Sequence, residues 1–331
     1  MNCLDTKTRA QIIGCLIEGC SVRATVRMTG AVKNTVVRLL ADIGTACAAY
    51  HDRYVRNLRV RRLQCDEIWQ FVGSKAKNVS IEKKQEGWGD VWVWIGIDAD
   101  TKLVVSYLVG GRDGGWAMEF MQDCANRIRG RVQVTTDGHR AYLDAVENAF
   151  GADIDYAQLQ KIYGASMDEE ARRYSPARCI GSDMKVVSGN PDPKHVSTSF
   201  VERQNLTLRM SNRRFTRLTN AFSKKIENHC HSVALHYMYY NYCRVHQTLR
   251  VTPAMEAGIS DHVWSVEGLC QLLPKAPSAM RKTEKSLIQK ALSWVVDDRA
   301  KLLSVIETPL LQPPDIQTLC KEMTLWQAYM M

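Results

Sequence analysis

The stretch from residue 63 to residue 150 constrains the fold most, because strand-forming and helix-forming segments follow one another there in a clear order. Three segments are rich in aromatic and β-branched residues, which favour strands: residues 63–72, 91–98 and 103–111. A short Asp-rich turn between the last two predicts a hairpin. Two segments of helical spacing follow, separated by a strand that ends at Gly138: residues 116–128 and 139–150. This order predicts an α/β fold in which helices flank a mixed sheet.

The basic charge is concentrated in two segments of the chain. Lys and Arg total 44 against 35 Asp and Glu, a net charge of +9. Residues 1–64 hold 11 basic and 4 acidic side chains, and residues 172–225 hold 12 and 3. These segments are net +7 and +9, which leaves the rest of the chain net −7. Two basic segments on an otherwise acidic chain indicate a polyanionic partner, most simply double-stranded DNA.

The overall composition favours a water-soluble protein with a sizeable core. The chain has 331 residues, 45% of them hydrophobic, and its mean hydropathy is −0.26. At about 150 residues per domain, this length indicates roughly two domains. No run approaches the ~18 consecutive apolar residues of a membrane span. We therefore expect a cytoplasmic, DNA-associated protein without a membrane partner.

A helix-turn-helix pattern precedes the sheet. Residues 8–19 have helical spacing, Ser21 can cap a second helix, and Gly30 falls near the turn before a third. Four polar residues lie early in that third helix: Lys33, Asn34, Thr35 and Arg38. In helix-turn-helix proteins the start of the second motif helix meets base edges in the major groove. We therefore predict that these four residues bind DNA, although a small helical bundle without DNA contact gives the same pattern.

Three acidic residues lie at positions that suit a catalytic or metal-binding role. Asp66 lies inside a largely apolar strand, Asp137 closes a strand just before Gly138, and Glu202 lies on a basic helix. A charge buried at Asp66 is costly unless it is paired or binds a metal. Strand alternation puts Asp66 and Glu67 on opposite faces, so only one of them should point at a given site. The structural alternative is that Asp66 pairs with an arginine, Asp137 caps a helix and Glu202 is solvated.

Residues 199–225 have a helical pattern with two stripes. Apolar residues recur every seven positions at Val201, Leu208, Phe215 and Phe222, with Leu218 beside them. On one continuous helix, the face of Glu202 also carries polar and basic side chains: Asn205, Arg209, Asn212 and Arg213. A carboxylate for metal and guanidiniums for phosphate beside an apolar anchor suit an active-site helix.

Three ordered motifs resemble those of DDE transposases of the insertion-sequence-one type. The first is QCDEIW at residues 64–69, and the second is TDG followed by Tyr142. The third is FVERQNLTLR at residues 200–209. Residues 240–258 also resemble the segment that follows the catalytic core in many transposases and integrases. The resemblance extends over residues 8–273.

The resemblance implies a ribonuclease H-like fold and a catalytic, metal-binding triad of Asp66, Asp137 and Glu202. It implies two Mg²⁺ or Mn²⁺ ions, since hard oxygen ligands suit these cations. It implies that the chain binds the ends of a mobile element, cleaves the DNA and joins a freed 3′-OH to target DNA, as a homo-oligomer. Arg209 would then contact DNA phosphate, and we place Arg203 and Arg213 at the DNA as well. His195 is a possible accessory residue.

These expectations define three segments and leave two other functions open. We predict a helix-turn-helix domain at 1–60, a ribonuclease H-like catalytic domain at 61–250 and a helical tail of unknown role at 251–331. A ribonuclease H-like nuclease or resolvase would use the same triad without joining strands. A non-catalytic helix-turn-helix regulator would instead pair Asp66 with an arginine and bind no metal there.

Overall fold

A computed structural model describes residues 4–164 and 179–273 of the chain. The strands are β1 Arg62–Val72, β2 Gly89–Asp98, β3 Val104–Gly110, β4 Val132–Thr136, β5 Ile154–Tyr163 and β6 Cys179–Ser188. The first six helices are α1 Thr6–Ile17, α2 Val22–Thr29, α3 Lys33–Tyr54, α4 Ile81–Gln85, α5 Gly114–Arg127 and α6 Ala141–Phe150. The others are α7 Ser199–Ser211, α8 Ile226–Tyr242, α9 Pro253–Glu256 and α10 Val266–Cys270. No helix within these residues is both long and apolar enough to cross a membrane.

The six strands form one mixed sheet in the order β3-β2-β1-β4-β5-β6. Strand β2 runs antiparallel to both β1 and β3, whereas β4 lies parallel to β1 and β5 parallel to β4. Strand β6 returns antiparallel along β5. This confirms the predicted mixed sheet flanked by helices, and it agrees with the ribonuclease H-like arrangement that the resemblance implies.

The two faces of β1 pack against different helices. Leu63 and Cys65 belong to the apolar cluster that includes residues of α5 and α6. Ile68, on the other face, packs in a second cluster with Val201 and Leu208 of α7. Because side chains alternate along a strand, the face of Ile68 also carries Asp66. The apolar packing of α7 therefore brings this helix to the same face of β1 as Asp66.

The first three helices have the local signals that the sequence predicted. The Ser21 hydroxyl accepts a hydrogen bond from the Ala24 N–H at 3.1 Å, which caps α2. Gly30 ends α2 with φ of 69°, a left-handed conformation that glycine adopts without strain. Helix α3 runs along α8, and Gly44 lies so close to His231 that a Cβ there would clash with its backbone. The DNA-binding role of these helices and the boundary at residue 60 stay predictions.

Two expectations about secondary structure are wrong. Residues 151–198 look irregular in sequence, yet they contain β5 and β6, whose apolar residues include exposed ones such as Ile180 and Val186. Residues 199–225 do not form one helix, because α7 ends at Ser211 and Leu218 has a φ of 57° that no α-helix allows. Asn212 and Arg213 consequently lie beyond the helix that carries Glu202. The helix expected at residues 286–296 lies outside the described residues.

Candidate active site

Two carboxylates meet at the point where β4 ends beside β1. Leu63 pairs with Val134 in the parallel register, so Asp66 and Asp137, three residues further along, stand side by side. Strand β4 stops at Thr136, and β1 continues to Val72. Asp137 therefore leaves the sheet beside Asp66. Oxygen atoms of Asp66, Glu67 and Asp137 lie within 4.8 Å of one another.

Glu67 belongs to this cluster, contrary to the expectation that only one of Asp66 and Glu67 faces a given site. Its side chain is 1% exposed and forms a salt bridge of 2.7 Å with Arg112, whose guanidinium lies over the Trp92 ring. The Tyr142 hydroxyl donates a second hydrogen bond to Glu67 at 3.1 Å. Alternation holds along β1, but Asp137 lies past the end of β4 and is within reach of both faces. Burial raises the pKa of Glu67, and Asp137 adds to that rise.

Asp66, like Asp137, forms no ion pair within the described residues. Its one hydrogen bond from another side chain within these residues comes from the Asn205 amide at 2.7 Å. Burial, followed by the nearby charges of Glu67 and Asp137, raises the pKa of Asp66 to about 7. The arginine partner that a non-catalytic regulator requires is paired with Glu67 instead.

Glu202 faces the cluster from α7 but has its own partners. Gln64 accepts hydrogen bonds from the N–H groups of Phe200 and Val201, which ties the start of α7 to β1. Lys161 of β5 forms a short ion pair with Glu202, and the Thr198 hydroxyl donates to it at 2.6 Å. Glu202 is close enough for its charge to raise the pKa of Asp66, yet it is not one of the three clustered carboxylates. Lys161 gives no sequence signal, because β5 was not predicted.

The other predicted residues fall into three places. Lys33, Asn34 and Arg38 are exposed at the start of α3, and Thr35 is half-buried there. On and after α7, Arg203 is exposed and Arg213 half-buried, while burial lowers the pKa of Arg209 to about 10. The structure does not bring His195 to the carboxylates. His195 contacts Arg62 at 2.5 Å, and Arg62 precedes Asp66 by four strand residues, about 13 Å.

The residues present fit a divalent cation. Three carboxylates are forced together in a poorly solvated position, which an ion of charge +2 would offset. Asn205 adds an amide oxygen, Oδ1, that is buried and has no hydrogen-bond partner. Carboxylate and amide oxygens are the ligands that Mg²⁺ and Mn²⁺ prefer. Asp66 and Asp137 would hold the ion most directly, since Arg112 and Tyr142 already engage both oxygens of Glu67.

Among the solved structures that align with this chain are two transposase complexes, both distant in sequence. No family model matches the chain, and no curated protein matches it. A piggyBac transposase synaptic complex with hairpin DNA aligns with 85% of this chain and 74% of its own, at 10% identity and a TM-score of 0.36. A Mos1 transposase paired-end complex with the left transposon end aligns with 45% and 58%, at 14% identity and a TM-score of 0.19. Both TM-scores are low, so the geometry of the carboxylate site is the better guide to function.

Proposed function

We propose that this chain is a DNA transposase of the insertion-sequence type. It would bind the ends of a mobile element, cleave the DNA there with the help of divalent metal, and join the freed 3′-OH to target DNA. The observation that carries the proposal is the meeting of Asp66 and Asp137, two partly buried carboxylates without an ion pair in the described residues, where β4 ends beside its parallel neighbour β1. The three ordered sequence motifs support it independently.

In this proposal, Asp66, Asp137 and Glu202 hold the metal. When bound, divalent ions would activate the attacking oxygen of water or of a 3′-OH and stabilise the leaving oxygen. Asn205 orients Asp66 through its amide N–H. Glu67 acts through Arg112, whose guanidinium it fixes beside the carboxylates, where a phosphodiester would approach. Lys161 and Thr198 engage both oxygens of Glu202, but this ion pair is partly exposed, unlike that of Glu67, so Glu202 would exchange Lys161 for the metal.

The DNA would extend from the carboxylates over the basic part of the chain. Arg203 and Arg209 lie on α7 with Glu202, and Arg213 follows in the next turn. Guanidinium groups bind phosphate with two parallel hydrogen bonds, which fixes the backbone as well as attracting it. The exposed start of α3 would read the element end in a major groove. A homo-oligomer is expected because transposition requires two ends to be held together.

The first test is strand transfer in vitro by the full chain. Labelled fragments of the DNA that flanks the coding region are mixed with supercoiled plasmid and Mg²⁺ or Mn²⁺, beside Asp66→Asn. We expect joined products from the parent alone. In parallel, Mn²⁺ should raise the Tm of the parent and not that of Asp66→Asn, because a ligand that binds only the folded state stabilises it.

The outcomes separate the competing functions. Cleavage without joining would favour a nuclease or resolvase that uses the same carboxylates. DNA binding with neither reaction, and with no effect of Mn²⁺ on the Tm, would overturn the transposase proposal in favour of a regulator. Full activity of Asp66→Asn would remove Asp66 from the site.

A further inference from the structure

A cavity of about 610 Å³ opens between the first three helices and the segment that follows α7. Ser21 and Arg23 of the α2 start and Lys33 of the α3 start line one side. Residues 211–214, 220–222 and 224 line the other, together with His236 of α8. This basic cavity is separate from the carboxylates, which lie near the opposite end of α7.

The charges of the basic cavity are all of one sign. Five cationic side chains line it, and no carboxylate does: Arg23, Lys33, Arg213, Arg214 and Lys224. None of the five forms a salt bridge within residues 4–164 and 179–273. Arg214 is largely buried, which lowers its pKa to about 10. Cations held together without a counter-charge repel one another, so this arrangement favours an anionic ligand.

Two further features point into the basic cavity. His236 is 5% exposed, and its Nε2 atom is buried without a hydrogen-bond partner. Helix α3 also begins here, at Lys33, and Val32 before it supplies no side-chain cap. The unpaired N–H groups and the positive dipole end of such a 22-residue helix attract anions. A buried polar atom and a helix start thus join the five cations.

We propose that the basic cavity binds the sugar–phosphate backbone of the DNA duplex on which the carboxylates act. This inference rests on the proposed function and adds a second anchoring point to it. Nine residues of α7 separate Glu202 from Ser211, a rise of about 14 Å. For a duplex whose axis follows α7, at 3.4 Å per base pair, the bound phosphates would lie about four base pairs from the reacting one.

Duplex DNA fits the basic cavity better than an acidic protein does. The cations come from two separate parts of the chain, the α2–α3 region and residues 213–224, both within the segments of highest positive charge. A phosphate backbone presents charge at regular intervals and can contact both walls at once. Lys33 also belongs to the predicted DNA-reading helix, so one duplex can meet the helix start and the cavity together.

The test measures how salt weakens binding of the full-length chain to a short labelled duplex of random sequence. Arg23→Gln with Lys224→Gln removes two exposed cations of the basic cavity. The matched control, Arg59→Gln with Arg129→Gln, removes two exposed arginines that do not line it. Each lost phosphate contact lowers the slope of log K against log salt by about 0.9. Between 50 and 200 mM salt, affinity should therefore fall about 12-fold less for the cavity variant than for the parent.

Three results would overturn the inference. Equal slopes for the parent and both double variants would show that the cavity contacts no phosphate. An equal decrease in both double variants would show an effect of total charge alone. Poly-glutamate binding that is tighter than duplex binding, and lost only in the cavity variant, would make an acidic protein the occupant. Because the duplex has random sequence and needs no metal, failure of the strand-transfer assay leaves this readout intact.

Discussion

The carboxylate cluster and the basic cavity are opposite in charge, but both contain charged side chains that have no oppositely charged partner in the described residues. Asp66 and Asp137 have no ion pair, and the five cations of the basic cavity have no carboxylate, within the described parts of the chain. The regions lie near opposite ends of α7, about 14 Å apart along its axis, so they do not pair with each other. This shared lack of counter-charges supports the partners that we propose for the two regions, a divalent cation in one case and phosphate in the other.

The same contrast exists within the carboxylate cluster. Glu67 and Asp66 are neighbours in sequence, but Glu67 has Arg112 and Tyr142 as partners, whereas Asp66 has an amide alone. A buried carboxylate with a cation serves structure, since the pair is satisfied within the fold. A buried carboxylate without one is costly unless something else binds it. This difference supports the roles that we propose, a positioning role for Glu67 and metal binding for Asp66.

The largest expected effect separates the two charged regions. Asp137→Asn should lower metal-dependent DNA cleavage by at least about 1000-fold, equivalent to about 4 kcal/mol, because it removes a metal ligand. The salt dependence of duplex binding should not change, since the basic cavity is intact. Asp144→Asn, an exposed carboxylate of α6, is the matched control and should cleave like the parent. Cleavage by Asp137→Asn at the parental rate would show that Asp137 is not a metal ligand.

The next effect concerns the paired carboxylate. Arg112→Ala leaves Glu67 buried without its cation, which should lower the free energy of unfolding by about 3 kcal/mol. Urea denaturation in EDTA measures this loss. Arg129→Ala, an exposed arginine without a salt bridge in the described residues, should change stability by less than about 0.5 kcal/mol. Adding Glu67→Gln to Arg112→Ala should restore part of the lost free energy of unfolding. A double variant that is less stable than either single variant would contradict the pairing of Glu67 with Arg112.

Changing the unpaired carboxylate, Asp66, should raise the stability of the metal-free protein instead of lowering it. The rise in the pKa of Asp66 from 3.8 to about 7 corresponds to a cost of at most about 4 kcal/mol at high pH. Asp66→Asn should therefore stabilise the metal-free protein, by about 2 kcal/mol at pH 8, because the amide must still fit beside Asn205.

The pH dependence gives the sign of this effect. A carboxyl whose pKa is raised by folding contributes stability that is present below pH 3.8 and lost as the pH rises through about 7. The advantage of Asp66→Asn, measured by urea denaturation in EDTA, should thus narrow from pH 8 to pH 5. A variant less stable than the parent at pH 8 would mean that ionised Asp66 is well satisfied.

Local pattern was enough to predict the strand that contains Asp66 and the strand that ends just before Asp137. Asp66 lies inside a largely apolar run, and Asp137 follows a run of β-branched residues and precedes Gly138, so both acids are visible in sequence. The crossover helix α5 lets β4 run parallel to β1, but the order of elements does not determine that these two strands are neighbours. The resemblance, and not the local pattern, therefore implied that Asp66 and Asp137 belong to one site.

What sequence could not show depends on contacts between distant residues. The salt bridge of Glu67 joins residues 45 positions apart, and the ion pair of Lys161 with Glu202 joins residues 41 positions apart. Neither spacing has a periodicity. The sequence pattern did not show where α7 ends, because its seven-residue repeat of apolar residues continues through Phe215. Phe215 is indeed buried, but it belongs to a short 3-10 turn after α7 and not to the helix itself. Asn212, whose side chain accepts from the Arg214 N–H, was the available stop signal.

The smallest expected effect is a difference in duplex binding between a change in the basic cavity and a change in the predicted DNA-reading surface of α3. Lys33 lines the cavity and Arg38, five residues later, does not. Lys33→Gln should lower the salt slope of duplex binding by about 0.9 for any sequence, since it removes one phosphate contact. Arg38→Gln should leave the random-sequence slope unchanged and weaken binding to the element end by about 1–3 kcal/mol, as loss of a base contact does. Both changes remove one exposed positive charge from the same helix, so each variant is the control for the other. If the two variants had identical effects on binding to random and to specific duplexes, the basic cavity and the DNA-reading surface of α3 would be one DNA-binding surface.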